Sequence, residues 1–410
     1  MLYRATGNKT YLDFATYLVE IGARACGNIF ELAYVDRLAP YQYPFTKAYE
    51  MMSCYEGLLE LYKVTGNPLY LSVVEKTVGH IVREEINVAG SGSAFECWYG
   101  GKERQTQPTY HTMETCVTFT WMQLCNRLLQ MTGNSLYADY METAIYNALM
   151  ASLKADASQI AKYSPLEGWR HEGEEQCGMH INCCNANGPR AFAMIPQFAY
   201  QVQDDCVRVN FYAPSEAELV LPGKKPVRLK QTTDYPRTDQ IEIEVDPAKE
   251  TAFTIALRIP AWSKIAVVSV NGQPQDGVLQ GAYLPVNRKW KKGDRITVKL
   301  DLRARLVERN QAQAIVRGPI VLARDSRFGD GFVDEASVVV SKDGYVELTP
   351  VKTPGFAWLA FTAPMVLGTD LESNRAPKQI HFCDFASAGN TWDKTQRYRV
   401  WLPKTLNVMH

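Results

Sequence analysis

The chain has 410 residues, with 44 basic and 44 acidic side chains, no formal net charge, 46% hydrophobic and 11% aromatic content. That length allows two or three domains, and the charge balance gives no electrostatic basis for binding nucleic acid or an anionic membrane surface. No apolar run approaches the roughly 20 residues that span a bilayer. Met1–Gly7 does not read as a signal peptide. The ten cysteines show no framework of a small disulfide-stapled fold, and the compartment stays open between cytoplasm and periplasm.

The first half carries an internal repeat. Leu2-Tyr3-Arg4-Ala5-Thr6-Gly7-Asn8 with Tyr11-Leu12 returns as Leu61-Tyr62-Lys63-Val64-Thr65-Gly66-Asn67 with Tyr70-Leu71, and again as Leu128-Leu129-Gln130-Met131-Thr132-Gly133-Asn134 with Tyr137-Ala138. In each copy a glycine suited to a left-handed C-terminal conformation ends one amphipathic helix and a second helix opens. The unit is an αα-hairpin, and hairpins at this spacing predict an (α/α)6-toroid-type helical domain over 1–203. Helices are expected near 10–24, 46–64, 68–85, 113–131, 135–153 and 188–202, with long connections at 26–45, 86–111 and 154–186. Those connections should emerge at one mouth, where function tends to sit. Six helices are about half of a closed twelve-helix ring, and only five residues precede Thr6, so the chain is expected to be the C-terminal part of a larger protein or the product of a truncated gene model.

Beyond residue 204 the period changes. Val207–Tyr212, Ile241–Val245, Phe253–Ile259 and Ile296–Leu300 alternate as strands, with turns at Asn271-Gly272 and Lys292-Gly293-Asp294. This predicts an antiparallel β-sandwich over 204–320 and a second β-rich region over 321–410.

The chemistry concentrates in the long connections. Cys183 and Cys184 stand just before the last expected helix, preceded by Cys177, and Glu114-Thr115-Cys116 opens another. Three thiols and a carboxylate can close a tetrahedral zinc site. A thiolate at a helix N-terminus is also a candidate nucleophile. Cys26, Cys54 and Cys125 lie in or beside helical patterns and read as buried thiols.

Glu114-Thr115-Cys116, Cys183-Cys184 and the intervening Tyr163-Ser164-Pro165-Leu166-Glu167 resemble glycoside hydrolase family 127, the β-L-arabinofuranosidase family. Leu257-Arg258-Ile259-Pro260-Ala261-Trp262, Val270-Asn271-Gly272, Trp290-Lys291-Lys292-Gly293-Asp294 and Arg317-Gly318-Pro319-Ile320-Val321 follow that family's order. The resemblance implies zinc ligands Glu114, Cys116, Cys183 and Cys184, with Cys183 as nucleophile of a retaining glycosidase. It also implies an oligosaccharide or polysaccharide substrate ending in β-L-arabinofuranose or a related branched or acidic furanose, and it leaves an oligomer possible.

The family's acid is a glutamate sixteen residues before the zinc glutamate, where this chain has Trp98. Glu96 is the favoured general acid/base, because Trp98 and Tyr99 can wall it with apolar surface, raise its pKa and stack on a sugar. Glu103 is second. Tyr49 stands near a family histidine that is missing here, and Glu167 is a further candidate substrate contact.

Blander roles stand beside these. The cysteine set can be a purely structural zinc site or buried thiols. Glu96 can be a solvated loop carboxylate, and His171 and His180 hydrogen-bonding loop residues. Lys102 and Arg104 can be surface charge, and Trp392, Tyr398 and Trp401 sandwich core. Two other functions compete: a non-catalytic zinc- or carbohydrate-binding homologue, and an α/α-toroid epimerase or lyase, which would need a histidine or tyrosine base and has no use for adjacent cysteines.

Overall fold

The computed structural model describes residues 1–22, 27–107, 109–173, 178, 182–331, 337–367 and 376–404; Cys26, Cys177 and His180 lie outside them. The helical part runs through α1 (Leu2–Thr6), α2 (Lys9–Tyr17), α3 (Ile29–Val35), α4 (Ala48–Thr65), α5 (Pro68–Glu84), α6 (Gly101–Arg104), α7 (Thr115–Thr132), α8 (Leu136–Ala144) and α9 (Cys183–Ala199). A helical turn, Ile145–Leu149, extends α8.

The repeat is a turn device. The hydroxyls of Thr6, Thr65 and Thr132 donate to carbonyls four residues back at 2.8, 2.9 and 2.8 Å. The same oxygens accept from the N–H groups of Asn8, Asn67 and Asn134, each at 3.2 Å. Gly7, Gly66 and Gly133 take φ of 72°, 68° and 68° to reverse the chain. The asparagine side chains then accept from Thr10, Leu69 and Leu136, capping the next helix. Met52, Tyr55, Leu58, Trp121 and Leu124 pack between these hairpins in one apolar core.

Two elements lie inside stretches expected to be plain connections: α3, which Asn28 caps, and the short α6. The last helix starts at Cys183, not near 188, and stops at Ala199, where the strand Tyr200–Gln203 begins. Asn182 causes the early start by accepting from the Cys184 N–H at 3.0 Å, and the helix continues through Pro189 and Pro196. The cysteine pair is therefore in the first turn rather than before it.

Beyond α9 come two sheets. Four strands run in the order Ala282–Trp290, Thr251–Ile259, Cys206–Val209, Tyr200–Gln203; six run Ser215–Leu221, Lys225–Thr233, Gln240–Pro247, Asp294–Leu300, Ala266–Val270, Gln273–Pro274. Val207, Ile255 and Leu257 of the first share a core with Leu229, Ile243 and Val298 of the second. Pairing is antiparallel with one departure from expectation: Cys206–Val209 runs parallel to Thr251–Ile259.

A third sheet has eleven strands among the described residues. The boundary expected at 320 falls inside one of its hairpins, because Gly318-Pro319 turns the chain so that Val316 pairs with Val321. Ala304–Arg309 and Ala312–Arg317 thus belong with the C-terminal strands. Trp401 and Tyr398 pack with Leu166, Met113 and Ala148, so they sit at the junction with the helical part rather than inside a separate core.

Two junctions fix the helices against the sheets. Arg258, on Thr251–Ile259, is fully buried and pairs with Asp139 and, at 2.7 Å, with Glu142 of α8. Tyr235 Oη and Trp262 Nε1 also donate to Glu142, at 2.8 and 3.3 Å. The second junction straps residues 165–170 to the C-terminal strands. Glu167–Gly168 pairs with Tyr398–Arg399, Tyr398 Oη donates to the Pro165 carbonyl at 2.7 Å, and buried Arg170 donates to the Ala386 carbonyl at 2.9 Å. Among the described residues no helix is long and apolar enough to cross a membrane.

Candidate active site

Four segments meet where the long connections converge: 94–98, 111–116, 160–164 and the start of α9. The α7 N-terminus is stitched to the third of these. Thr115 N donates to the Lys162 carbonyl at 3.0 Å, and Thr115 Oγ1 to the Ala161 carbonyl at 2.7 Å. Gly188 lets α9 close on the same segment, since a Cβ there would meet Ile160 at 2.7 Å. Ile160 packs with Cys116 and Cys184.

Glu114, Cys116, Cys183 and Cys184 converge here, with one ligand atom of each within 4.8 Å of the others. Cys116 Sγ lies 3.1 Å from Cys183 Sγ and 3.3 Å from Cys184 Sγ. Glu114 Oε1 is 3.5 and 3.7 Å from the Cys183 and Cys184 sulfurs. Its other oxygen, Oε2, is buried with no hydrogen-bond partner. A buried carboxylate oxygen without a donor is costly, and three sulfurs beside a carboxylate are the donor set of a tetrahedral metal site. The cluster can therefore hold a metal ion. Asn187, one turn after Cys183, donates Nδ2–H to Cys116 Sγ at 3.3 Å, the kind of outer bond that orients a ligand.

The electrostatics favour one shared thiolate. Hydrogen bonds from Cys116 and Cys184 hold the Cys183 thiol far below its ordinary range, and Lys162 adds to this. Cys116 and Cys184 move up as the donors of that arrangement. Burial, followed by the Cys183 charge, pushes the Glu114 carboxyl up to about 8. Cys183 is exposed, whereas Cys116 and Cys184 are buried.

Glu96 lies beside this cluster but not in the surroundings expected for it. Trp98 is 2% exposed and sits in the helical core, so it offers no stacking face. Instead Lys162 Nζ lies 2.8 Å from Glu96 Oε1, and Lys47 closes on Oε2. Burial alone would raise the Glu96 carboxyl, but the bonds from Lys162 and Lys47 outweigh it and hold it below the usual range. The expected apolar wall is thus replaced by two ammonium groups. The backbone around the site is strained: Ser93, Phe95, Glu96 and Met113 have φ of 75°, 47°, 70° and 55°, conformations that cost ~1–3 kcal/mol each and persist only when over-determined.

The other expected residues are dispersed. Tyr49 packs against Cys116, Ile160 and Cys184. Tyr99 and Glu167 line a separate small cleft with Gln105 and Trp401, and Glu167 accepts from Arg399 Nε at 2.7 Å. Glu103 is at the surface, paired with Arg309. Lys102 Nζ donates to the Val82 carbonyl, and Arg104 lies over the Tyr99 ring. His171 Nδ1 is bonded to the Glu172 carbonyl. Sequence reasoning did not single out Lys47, Lys162, His111 or Asn187. His111 stacks on Phe95 at 4.5 Å and meets Tyr163 edge-on at 5.2 Å. Asn187 was detectable as the residue one helical turn beyond Cys183, given a helix that starts there.

The family described as Beta-L-arabinofuranosidase, GH127 catalytic domain, matches residues 1–197, and its GH127 middle domain matches residues 206–302. The non-reducing end β-L-arabinofuranosidase of Bifidobacterium longum subsp. longum is 24% identical over 374 residues, 78% of this chain and 55% of that protein. The chain thus spans about half the length of this curated relative. A solved GH127 β-arabinofuranosidase superposes with a TM-score of 0.81 at 24% identity, over 99% of this chain and 67% of the other. A GH127 β-L-arabinofuranosidase from Geobacillus stearothermophilus T6 gives 0.77 at 21% identity, over 98% and 71%. At these identities the structural likenesses speak to the fold.

Proposed function

The chain belongs to glycoside hydrolase family 127, and from that premise we propose that it carries the zinc-thiolate site of a retaining glycosidase. Its substrate is a plant-type glycan ending in β-L-arabinofuranose or a related branched or acidic furanose. The helical part is read as a portion of an (α/α)6 toroid over 1–203, followed by a β-sandwich. The observation that carries the reading is Glu114 gathered with three cysteine sulfurs, its Oε1 beside them and its Oε2 buried without a hydrogen-bond partner.

Glu114, Cys116, Cys183 and Cys184 would hold zinc, which when bound keeps the thiols deprotonated at neutral pH. Cys183 is read as the nucleophile, the one of the three cysteines that is exposed rather than buried. Its sulfur attacks the anomeric carbon, the glycosidic C–O bond breaks, and the leaving oxygen takes a proton from Glu96. Glu96 then removes a proton from water, which displaces the cysteine with a second inversion. At rest Glu96 is ionised between its lysines and suits the second half. For the first half, substrate entry must loosen those ion pairs so that Glu96 can carry a proton. The lysines flanking Glu96 also favour a sugar bearing an acidic group.

A second reading, zinc or carbohydrate binding without turnover, is favoured by the same ion pairs. Metal content together with hydrolysis of an activated aryl furanoside separates the two. One zinc per chain with turnover, both lost in Cys183→Ser, supports the glycosidase. Zinc or glycan binding without turnover supports the second reading, no bound metal sinks the first, and neither metal nor glycan binding sinks both. Glu96→Gln should slow substrates with poor leaving groups more than aryl furanosides, since only the former need a proton.

A further inference from the structure

We infer that Glu85 is a positioning residue for Glu96: its carboxylate fills a nest of backbone amides and so fixes the loop on which Glu96 stands.

Glu85 immediately follows α5 as its C-cap and is fully buried. The placement is unfavourable twice over. A negative charge at a helix C-terminus opposes the helix dipole, and a buried carboxylate is costly unless its oxygens are satisfied. Three consecutive amides supply that satisfaction. Gly100 N–H donates to Oε1 at 2.9 Å, and Tyr99 and Gly101 N–H donate to Oε2 at 3.2 and 3.1 Å. Gly100 makes the convergence possible with φ of +70°, and such a run of amides is an anion-binding concavity. The chain fills it with its own side chain.

The nest begins three residues after Glu96. The other end of the loop is pinned to the start of α4: Ala48 N donates to the Glu96 carbonyl at 2.9 Å and Trp98 N to the Thr46 carbonyl at 2.8 Å. Between the anchors Ala94 and Cys97 exchange two backbone bonds of 2.9 Å, and Phe95 and Glu96 hold their left-handed conformations. The Trp98 ring closes the arrangement: a Cβ on Gly92 would meet that ring at 3.2 Å and the Glu85 carbonyl at 2.8 Å. Strain of this kind survives only while both ends of the segment are held. Glu85 does not touch Glu96; it acts through the peptide 97–101.

This rests on the acid/base reading of Glu96, so the test has one arm that does not depend on it. Glu85→Gln and Gly100→Ala attack the nest from opposite sides, the second leaving the carboxylate intact. In the full chain, amide hydrogen exchange is followed across 94–101 alongside steady-state hydrolysis of a furanoside with a poor leaving group. Both variants should lose protection at 99–101 and also at 94–97, with metal content unchanged. Activity should fall through kcat on the order of ten- to a hundred-fold with KM little altered, as misplacement of a catalytic group predicts. Protection retained at 94–97 while 99–101 opens would overturn the inference, whatever the activity. So would wild-type kcat in a protein whose Glu96→Gln variant is impaired. A Glu96→Gln variant as fast as wild type on both substrate classes would instead refute the acid/base reading, leaving exchange to decide on Glu85.

Discussion

Lys162 Nζ lies 2.8 Å from Glu96 Oε1, and the Lys162 backbone carbonyl accepts from Thr115 at the start of α7. One residue thus joins the candidate acid/base to the helix that carries Glu114 and Cys116. Replacing Lys162 by Met keeps the backbone bond and removes one of two ammonium groups from Glu96. With burial then less opposed, the Glu96 carboxyl should titrate at higher pH than in the wild type. Carbonyl carbon-13 NMR of labelled glutamate, with Glu96→Gln assigning the signal, reads this directly. An unchanged Glu96 titration would mean that the ion pair does not form in solution.

Arg258 joins the helical part to the four-stranded sheet through Asp139 and Glu142. Arg258→Met leaves two buried carboxylates unpaired and should cost about 3–5 kcal/mol, as breaking a buried ion pair does. Arg258→Met combined with Asp139→Asn and Glu142→Gln should recover part of that loss, because the stranded charges go with it. Urea unfolding measures both. A loss below about 1 kcal/mol in the single variant would show that the carboxylates take up protons at little cost.

The hairpin turns and the cysteine cluster were legible in the sequence for local reasons. Thr-Gly-Asn closes its hydrogen bonds within a few residues of itself, and Glu-x-Cys with Cys-Cys places ligands on two helix starts. The electrostatic setting of Glu96 was not legible. Lys47 and Lys162 reach it from 49 residues before and 66 residues after, and no local pattern marks them. Trp98 read as a sugar platform because an aromatic beside a glutamate carries no sign of which way it faces. The hairpin joining Ala312–Arg317 to Ile320–Asp325 was hidden because period-two alternation identifies a strand without naming its sheet.

Burial pushes the Glu85 carboxyl up to about 7, although the amides of 99–101 oppose this and Glu84 adds to it. A folded-state value above the unfolded one means that the native protein binds the proton more tightly. The associated stability is fully present below about pH 4.5 and is lost as pH rises through about 7, a difference of up to roughly 3 kcal/mol. Other titrating groups contribute equally to wild type and Glu85→Gln, so the difference between them isolates this one. Relative to the variant, the wild type should lose stability between pH 5 and pH 8 in urea titrations. Parallel pH profiles would show that the three amides compensate fully for burial.

The helix α2 and the helical turn Leu18–Gly22 that continues it have apolar residues on two faces. Leu12, Ala15 and Val19 pack toward the helical core, but Tyr11, Phe14, Tyr17, Leu18 and Ile21 are 42%, 60%, 50%, 47% and 52% exposed. Phe14 and Tyr17 stack on each other at 6.4 Å. Exposed aromatic and aliphatic side chains grouped in this way form an apolar patch of the kind that drives association. The chain should therefore self-associate at micromolar concentration, more strongly in sulfate, which reinforces burial of apolar surface. Phe14→Glu with Tyr17→Lys places opposite charges one turn apart on the exposed face, away from Ala15, Leu18 and Val19, which line the inner groove. That double variant should sediment as a monomer with unchanged metal content. A wild-type chain that is monomeric and monodisperse under the same conditions would show that α2 folds its outer face against its own chain in solution.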